Sequence, residues 1–280
     1  MTNNVITIFE TELSEAKQRA TPLIWSSPQG NLVHALLELQ KPNIDKLKKS
    51  IKDFEQKLES SNQKESPQEW ATIQNGLAGA LLALGQQEKA DTISILNDSM
   101  ETYKNVLMVC KRQEDPISWA LILHNIGMVF QAQGEQSNGS HTLMKSISAF
   151  NNALTQRTAK HRPQEWAISQ NNVGASLQIL AEIKKDKEAL EESLTAYENA
   201  LKKIKLEEAP LGWVTTISNL CAAQRIMAKQ TKKIDIAKEA LANSERIIEF
   251  LAKTTNAEYL KLAQKQKDES LELLEQLSSG

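Results

Sequence analysis

The motif Pro-x-x-Trp occurs five times in this chain of 280 residues, and the five copies contain every tryptophan. The separations between successive tryptophans are 45, 49, 47 and 47 residues, and an aromatic residue lies sixteen positions before each one. A fixed period of this length is typical of stacked structural repeats. The sequence therefore predicts one repeat array, not a globule around a catalytic pocket. The periodic aromatic positions are Trp25, Trp70, Trp119, Trp166 and Trp213, preceded by Phe9, Phe54, Tyr103, Phe150 and Tyr197.

The composition favours an all-α fold. Only ten glycines and seven prolines interrupt a sequence rich in alanine, leucine, glutamate, lysine and glutamine, which are strong helix formers. The 33 basic and 35 acidic residues give a net charge of −2, without the basic cluster that nucleic acids or anionic lipids attract. No apolar run approaches the roughly 20 residues of a membrane span. We expect a cytoplasmic protein with neither a nucleic acid nor a membrane as its partner.

The proline of each motif predicts the start of a helix, because proline has no N–H and its φ is already near the helical value. The expected starts are Pro67, Pro116, Pro163 and Pro210. Ser66 and Asp115 stand where a helix-capping side chain is expected. In the third and fourth repeats, Gly127 and Gly174 lie eight positions after the tryptophan, where a missing side chain would let a neighbouring helix approach closely.

A second helix follows in each repeat, because apolar residues recur at helical spacing in segments such as Met100–Leu107. Short polar linkers join the two helices, and we expect Gly85 and Gly134 to end the first helix. Each repeat is then a helical hairpin that covers its apolar faces only by stacking on its neighbours.

Both ends of the chain fit the same scheme. Phe9 matches Phe54, so residues 4–20 are interpreted as the second helix of a preceding half-repeat. The periodicity predicts a repeat domain over residues 1–255, with repeats that start near residues 22, 67, 116, 163 and 210. Residues 256–280, rich in lysine, glutamine and glutamate, are expected to form a solvating cap helix.

The five tryptophans have two possible roles, a box for a ligand or a packed junction between hairpins. Their register with the aromatic residues sixteen positions earlier favours the packed junction. All ten periodic aromatic residues are therefore expected to form the structural core of the array.

The segment from Arg162 to Gly174, RPQEWAISQNNVG, and the segment from Ala196 to Leu201, AYENAL, resemble bacterial tetratricopeptide (TPR) repeats. The similarity is to the long-period type that accompanies caspase-like CHAT modules, and the Asn-Asn-aliphatic-small core is similar to the repeats of kinesin light chains. The resemblance covers about residues 5–255. It implies a right-handed α-solenoid of about five hairpins, whose first helices line a concave groove that holds peptides or partner proteins.

The resemblance also implies which residues line that groove, counting from each tryptophan. The asparagine six positions later, with neighbours at five, nine and twelve positions, gives Asn31, His34, Asn75, His124, Asn125, Met128, Asn171, Asn172, Gln178, Asn219 and Arg225. A row of amides could bind the backbone of an extended peptide through donors and acceptors. The alternative is that these amides bond neighbouring helices and only fix the repeat geometry.

The chemistry of these positions is mainly neutral, small or apolar. The TPR domains that bind acidic chaperone tails use lysine and arginine beside the asparagines, whereas the positions four before the asparagines are Ser27, Leu121, Ile168 and Thr215. We therefore expect a protein or peptide partner of apolar or amide character, not an acidic tail.

Signals for catalysis and cofactors are lacking in the sequence. The four histidines have no metal-ligand spacing, and Cys110 and Cys221 form no metal or redox motif. We expect neither enzyme activity nor a metal or cofactor. Two functions remain open, a scaffold or adaptor that holds a partner segment, and a peptide or ligand sensor whose superhelix changes shape on binding.

Overall fold

The fold is taken from a computed structural model, and the structure describes residues 5–11, 44–88 and 91–279. All regular secondary structure in these ranges is α-helical, which confirms the predicted all-α class. The helices are α1 (residues 5–11), α2 (Ile44–Glu59), α3 (Pro67–Gly85), α4 (Thr92–Val109), α5 (Pro116–Ser137), α6 (Ser140–Leu154), α7 (Pro163–Lys184), α8 (Lys187–Leu201), α9 (Pro210–Thr231), α10 (Ile234–Leu251) and α11 (Ala257–Ser278).

The predicted helix starts are confirmed, because α3, α5, α7 and α9 each begin at the proline of the motif. The tryptophan three positions later donates its backbone N–H to the carbonyl of the residue before the proline, at 2.8 to 3.0 Å in all four helices. The first turn is thereby closed without the N–H that proline lacks. The motif is thus a helix-initiation signal as well as a repeat marker.

The two expected capping residues behave differently. Asp115 accepts a hydrogen bond on its carboxylate from the backbone N–H of Ser118 at 2.9 Å, and hydrogen bonds from the side chain and the backbone of Ser118 lower the pKa of Asp115. Ser66 makes no capping hydrogen bond through its side chain, so that prediction is wrong. The α3 helix still starts at Pro67, because proline itself supplies the favourable first-turn geometry.

The helix ends correct one of the two glycine predictions. Gly85 is the last residue of α3, as expected, but Gly134 lies inside α5. The left-handed residue after α5 is Asn138, with φ 49°, and Lys185 and Lys232 take the same conformation after α7 and α9, each 47 residues further on. Gly134 serves packing instead, because a Cβ there would lie 2.7 Å from Cγ of Leu143.

The described residues form two compact units. The first unit contains residues 44–88 and 91–169, and the second contains residues 5–11 and 170–279. Successive helices pack against each other in chain order, from α2 to α6 in the first unit and from α8 to α11 in the second. Repeats of the same period lie on both sides of the division, so periodicity alone does not predict it.

Three of the rings sixteen positions before a tryptophan are among the largest fully buried side chains of the described core. Tyr103, Phe150 and Tyr197 are fully buried. A Cβ on Gly127 would lie 2.7 Å from the ring of Phe150, and one on Gly174 would lie 2.8 Å from the ring of Tyr197. The close approach expected at these two glycines is confirmed, because each glycine accommodates the face of an aromatic ring.

The tryptophans are less uniformly buried than expected. Trp213 is 6% exposed, but the three other tryptophans that the structure describes, Trp70, Trp119 and Trp166, are only half-buried, as is Phe54. Trp25 lies outside the described residues. The expectation that every periodic ring is fully in the core is therefore wrong, because the neighbours of each repeat cover the indole to different extents.

Helix α1 is helical as predicted, and its contacts with described residues lie in the second unit. Phe9 is fully buried against Phe250 of α10 and Tyr259 of α11, with ring centroids 5.2 and 6.5 Å apart. These contacts belong to the last two helices of the second unit, and the interpretation of residues 4–20 as a half-repeat helix stays a prediction. The ring finds an aromatic surface there, and burial against it stabilises the contact.

Helix α11 begins at Ala257 and buries one face, which carries Tyr259, Ala263, Gln266, Ser270 and Leu273. Residues 257–278 are thus helical, and their role as a solvating cap stays a prediction. Within residues 5–11, 44–88 and 91–279, every helix falls short of the length and apolar character that a bilayer-spanning segment requires.

Candidate functional site

The structure places the eleven predicted groove positions in three classes. Asn31 and His34 lie outside the described residues. Asn75, Asn125 and Arg225 are half-buried. The remaining six are buried: Met128 is 3% exposed, and the other five have no exposed surface, namely His124, Asn171, Asn172, Gln178 and Asn219.

His124 belongs to a buried polar cluster of the first unit. Its Nδ1 lies 3.0 Å from Oγ of Ser169, and Arg157 donates an N–H to the same oxygen at 3.3 Å. The Ser169 hydroxyl donates its only proton to the carbonyl of Glu165 at 3.0 Å, so it accepts from the other two groups. This arrangement assigns the Nδ1 proton to His124, whose ring also packs 5.1 Å from that of Phe150.

Arg157 is the one residue of this cluster that no sequence pattern singled out. It is 5% exposed, and burial lowers its pKa to about 10 although the charge of Glu165 opposes this shift. The equivalent residues one repeat before and after are Cys110 and Ile204. The sequence signal for this buried cluster was a charged residue at a position where both neighbouring repeats have an apolar one.

The asparagines of the second unit bond each other. Asn219 on α9 donates its amide N–H to Oδ1 of Asn171 on α7 at 3.1 Å, and Asn171 donates to Oδ1 of Asn172 at 3.1 Å. The first of these bonds joins the leading helices of successive repeats, 48 residues apart. In this conformation the Asn171 and Asn219 amides therefore connect neighbouring helices. This is the second of the two roles considered for the asparagines, in which they fix the repeat geometry.

Gln178 on α7 also connects two helices, because it bonds Tyr197 on α8, the second helix of the same repeat. The hydroxyl of Tyr197 donates to Oε1 of Gln178 at 3.1 Å, and Nε2 of Gln178 donates to Glu182 at 3.2 Å. Burial raises the pKa of Glu182, and the hydrogen bond from Gln178 opposes that rise. The amide thus satisfies both a buried phenol and a half-buried carboxyl group.

Two half-buried amides lie in the first unit. A side-chain hydrogen bond joins Asn125 to Tyr103. Burial raises the pKa of Tyr103, and this hydrogen bond opposes the rise. Asn75 has a buried Oδ1 that has no hydrogen-bond partner among the described residues. A buried acceptor without a partner is costly, and a donor from another molecule reaches this oxygen only if its surroundings move.

Arg225 is on α9 in the second unit, and its side chain contacts α11. Its Nη2 is 3.1 Å from Oε2 of Glu269, while its Nη1 is buried without a partner in the part of the chain described here. Desolvation lowers the pKa of Arg225, and the charge of Glu269 counteracts it. The remaining donor is available for a polar group at this edge.

The chemistry available at these positions is hydrogen bonding by amides, hydroxyls and one guanidinium. Cys221 is fully buried, and burial raises its pKa to about 11, so its thiol is a weak nucleophile. Within the described ranges, no three side chains of histidine, cysteine, aspartate and glutamate are grouped as metal ligands would be.

Burial limits which of the predicted positions can touch a ligand in this conformation. His124, Met128, Asn171, Asn172, Gln178 and Asn219 cannot do so without movement of the surrounding helices, because their side chains are enclosed. This corrects the expectation that all of the row faces an open groove. Asn75, Asn125 and Arg225 remain as the described positions with accessible surface.

Comparison with known proteins identifies no relative: no protein-family model matches the chain, and no curated protein matches it. The assignment of repeats therefore rests on the internal period of the sequence and on the helices that realise it.

Proposed function

We propose that this chain is a non-catalytic scaffold or adaptor that binds a peptide or a segment of a partner protein. The observation that carries the proposal is the sequence period, realised as helices that start at equivalent prolines and pack in chain order within each unit. Helical repeats present rows of equivalent positions, which suit the binding of extended or helical segments. A right-handed TPR-type solenoid of about five hairpins is part of this proposal.

The described residues that support binding in the first unit are Asn75 and Asn125. Both are half-buried, and Oδ1 of Asn75 is a buried acceptor that has no hydrogen-bond partner among the described residues. Amides at such positions can bond the main chain of a partner regardless of its side chains. The partner that fits has apolar or amide character. An acidic tail fits less well, because the positions four before the asparagines hold no lysine or arginine.

A second candidate is a sensor that changes shape when a ligand binds. It is favoured by the hydrogen bond between Asn171 and Asn219, because a bond between successive repeats couples their relative positions. An adaptor should keep its radius of gyration in small-angle scattering when the partner segment binds, whereas a sensor should contract.

The test is photo-crosslinking from single positions of the full chain in its host cells, followed by binding measurements with the recovered segment. A crosslinking residue at Asn75 or Asn125 should capture the same partner segment, and one at exposed Lys104 should not. Asn125→Ala should then weaken binding of that segment about tenfold, the effect of one or two lost hydrogen bonds.

Tyr103→Phe is the matched control for Asn125→Ala. It removes the hydrogen bond between the two side chains but leaves the amide in place. Equal losses of affinity in both variants would mean that Asn125 acts only through structure and would refute its role in binding. Capture from Lys104 as efficient as from Asn75 would count against the whole proposal.

A further inference from the structure

Helix α1 is held by a small aromatic surface of the second unit, which we name the α1 seat and define as Phe250, Thr255 and Tyr259. Phe9 enters it edge-to-face, at interplanar angles of 86° to Phe250 and 77° to Tyr259. Trp213 of α9 supports the seat from behind, with its ring 6.4 Å from that of Phe250. Such edge-to-face pairs add to the gain from burial itself.

The residue after Phe9 makes the polar half of the contact. Glu10 accepts hydrogen bonds on Oε1 from the backbone N–H of Thr255 at 3.3 Å and from its hydroxyl at 2.7 Å. Thr255 lies just before the start of α11, where backbone N–H groups and the helix dipole favour a negative charge. The seat therefore recognises an aromatic residue followed by a carboxylate.

The aromatic residues of the seat are departures from the repeat pattern. Only three aromatic residues of the chain fall outside the period, and Phe250 and Tyr259 are two of them. One repeat earlier, the equivalent positions hold Lys203 and Gly212. Stacking of repeats does not require these rings, so their presence in the last repeat calls for a specific contact.

The contact with α1 leaves one group of the seat unfilled. Tyr259 is 2% exposed, and its hydroxyl has no hydrogen-bond partner among the described residues. A buried hydroxyl without a partner costs free energy. A segment that also brought a polar group to this hydroxyl would fit the seat better than α1 does.

We propose that the α1 seat is a binding site for a helical segment of another protein that carries an aromatic residue followed by glutamate. Helix α1 occupies this site within the same chain until the partner segment displaces it. The site lies outside the amide positions considered above, so it extends the proposed function and does not depend on Asn75 or Asn125. Because α1 is covalently attached, a competitor must overcome its high effective concentration.

The test uses the full chain and a fluorescein-labelled peptide with the sequence of residues 1–18 as the probe. In the Phe9→Ala/Glu10→Gln double variant the seat is vacated, so the probe should bind at least about tenfold more tightly than it binds the parent, where α1 competes. Thr11→Ala is the matched control, since Thr11 is exposed on the same helix, and it should bind the probe as the parent does.

Two further variants test the chemistry of the seat. A probe that carries Phe9→Ala should not bind the double variant, and Thr255→Val in the double variant should weaken binding several-fold, because it removes the shorter of the two hydrogen bonds. Equal affinity of the probe for the parent and the double variant would overturn the proposal, as would the absence of binding to a double variant that keeps its helical circular dichroism.

Hydrogen exchange on the parent protein keeps the proposal testable even if the double variant does not fold. Amides of α1 should exchange faster than those of α9, because α1 detaches without global unfolding. Exchange of α1 as slow as that of α9 would overturn the proposal. A parent protein that forms dimers dependent on Phe9 would also overturn it, in favour of exchange of α1 between two copies of the chain.

Discussion

Helices α5 and α9 occupy equivalent places in the repeat, yet their surroundings differ. In α9 every residue from Pro210 to Gln224 is buried. In α5 only nine of the 22 residues are buried, and Ile117 in its first turn is 38% exposed. The comparison shows that the period fixes where a leading helix starts, while the neighbours in each unit decide how much of it is covered.

The tryptophans of these two helices show the same difference in burial. Trp213 of α9 is buried behind the rings that hold Phe9, whereas Trp119 of α5 is half-buried, although an arginine guanidinium lies near each ring, Arg246 at 5.3 Å and Arg112 at 5.1 Å. Equivalent tryptophans in the sequence are therefore not expected to contribute equally to the free energy of unfolding.

The largest expected difference between the two units is in thiol reactivity. Cys110 is half-buried in the first unit, whereas Cys221 is fully buried in α9, where burial raises its pKa to about 11. In the native protein Cys110 should react with a thiol reagent at least about 100-fold faster, since Cys221 must wait for local opening. Single-thiol variants, Cys110→Ser and Cys221→Ser, assign the two rates. Similar rates would show that α9 is not enclosed.

The next largest effect should come from removing the two tryptophans. Trp213→Ala should lower the free energy of unfolding by about 3–5 kcal/mol, as expected for a buried large-to-small change. Trp119→Ala should cost about 1–2 kcal/mol, because a half-buried ring loses less. Urea titration of both variants measures the difference. A cost at Trp119 as large as that at Trp213 would break the comparison.

The two glycines that face aromatic rings should behave alike, which sharpens the comparison. Gly127→Ala and Gly174→Ala each place a Cβ within 3 Å of a ring atom, so each should destabilise by about 1–3 kcal/mol through overpacking. Exposed Ser148→Ala serves as the control and should change stability by less than about 0.5 kcal/mol. A neutral result at either glycine would mean that the ring can shift.

The smallest expected effect concerns the left-handed residues that end the leading helices. Lys232→Gly should raise the free energy of unfolding by about 1 kcal/mol, because glycine adopts a φ of 56° without the cost that lysine bears. Asn138→Gly should gain less, since asparagine tolerates this conformation. The matched control is Lys229→Gly, inside α9, which should destabilise by about 0.5–1 kcal/mol. Loss of stability in both lysine variants would contradict the assigned conformation.

Much of the local structure could be predicted because it depends on local chemistry. Proline at the first turn, a capping carboxylate at Asp115 and a glycine beneath a ring act over a few residues or one hairpin. The period predicted a helix over residues 256–280, and α11 begins at Ala257. Ser66 and Gly134 were misjudged because a neighbouring proline and a packing contact took over the roles assigned to them.

The environment of the candidate site could not be predicted to the same depth, because burial depends on contacts between distant segments. The period could not reveal that Asn171 bonds Asn219, or that Arg157 is buried beside Ser169. The contact of Phe9 with Phe250 joins parts of the chain that share no repeat relation. The departure of Phe250 and Tyr259 from the period was the only trace of it in the sequence.

The hydrogen bond between the Asn171 and Asn219 amides has a consequence for how such a chain can change in evolution. An insertion or deletion of one residue in either leading helix rotates the following side chains by about 100°, so the two amides would no longer meet. Gain or loss of a complete hairpin leaves every remaining amide opposite an equivalent neighbour. Lineages of this protein should therefore vary by duplication of whole modules, while the length of each module stays nearly constant.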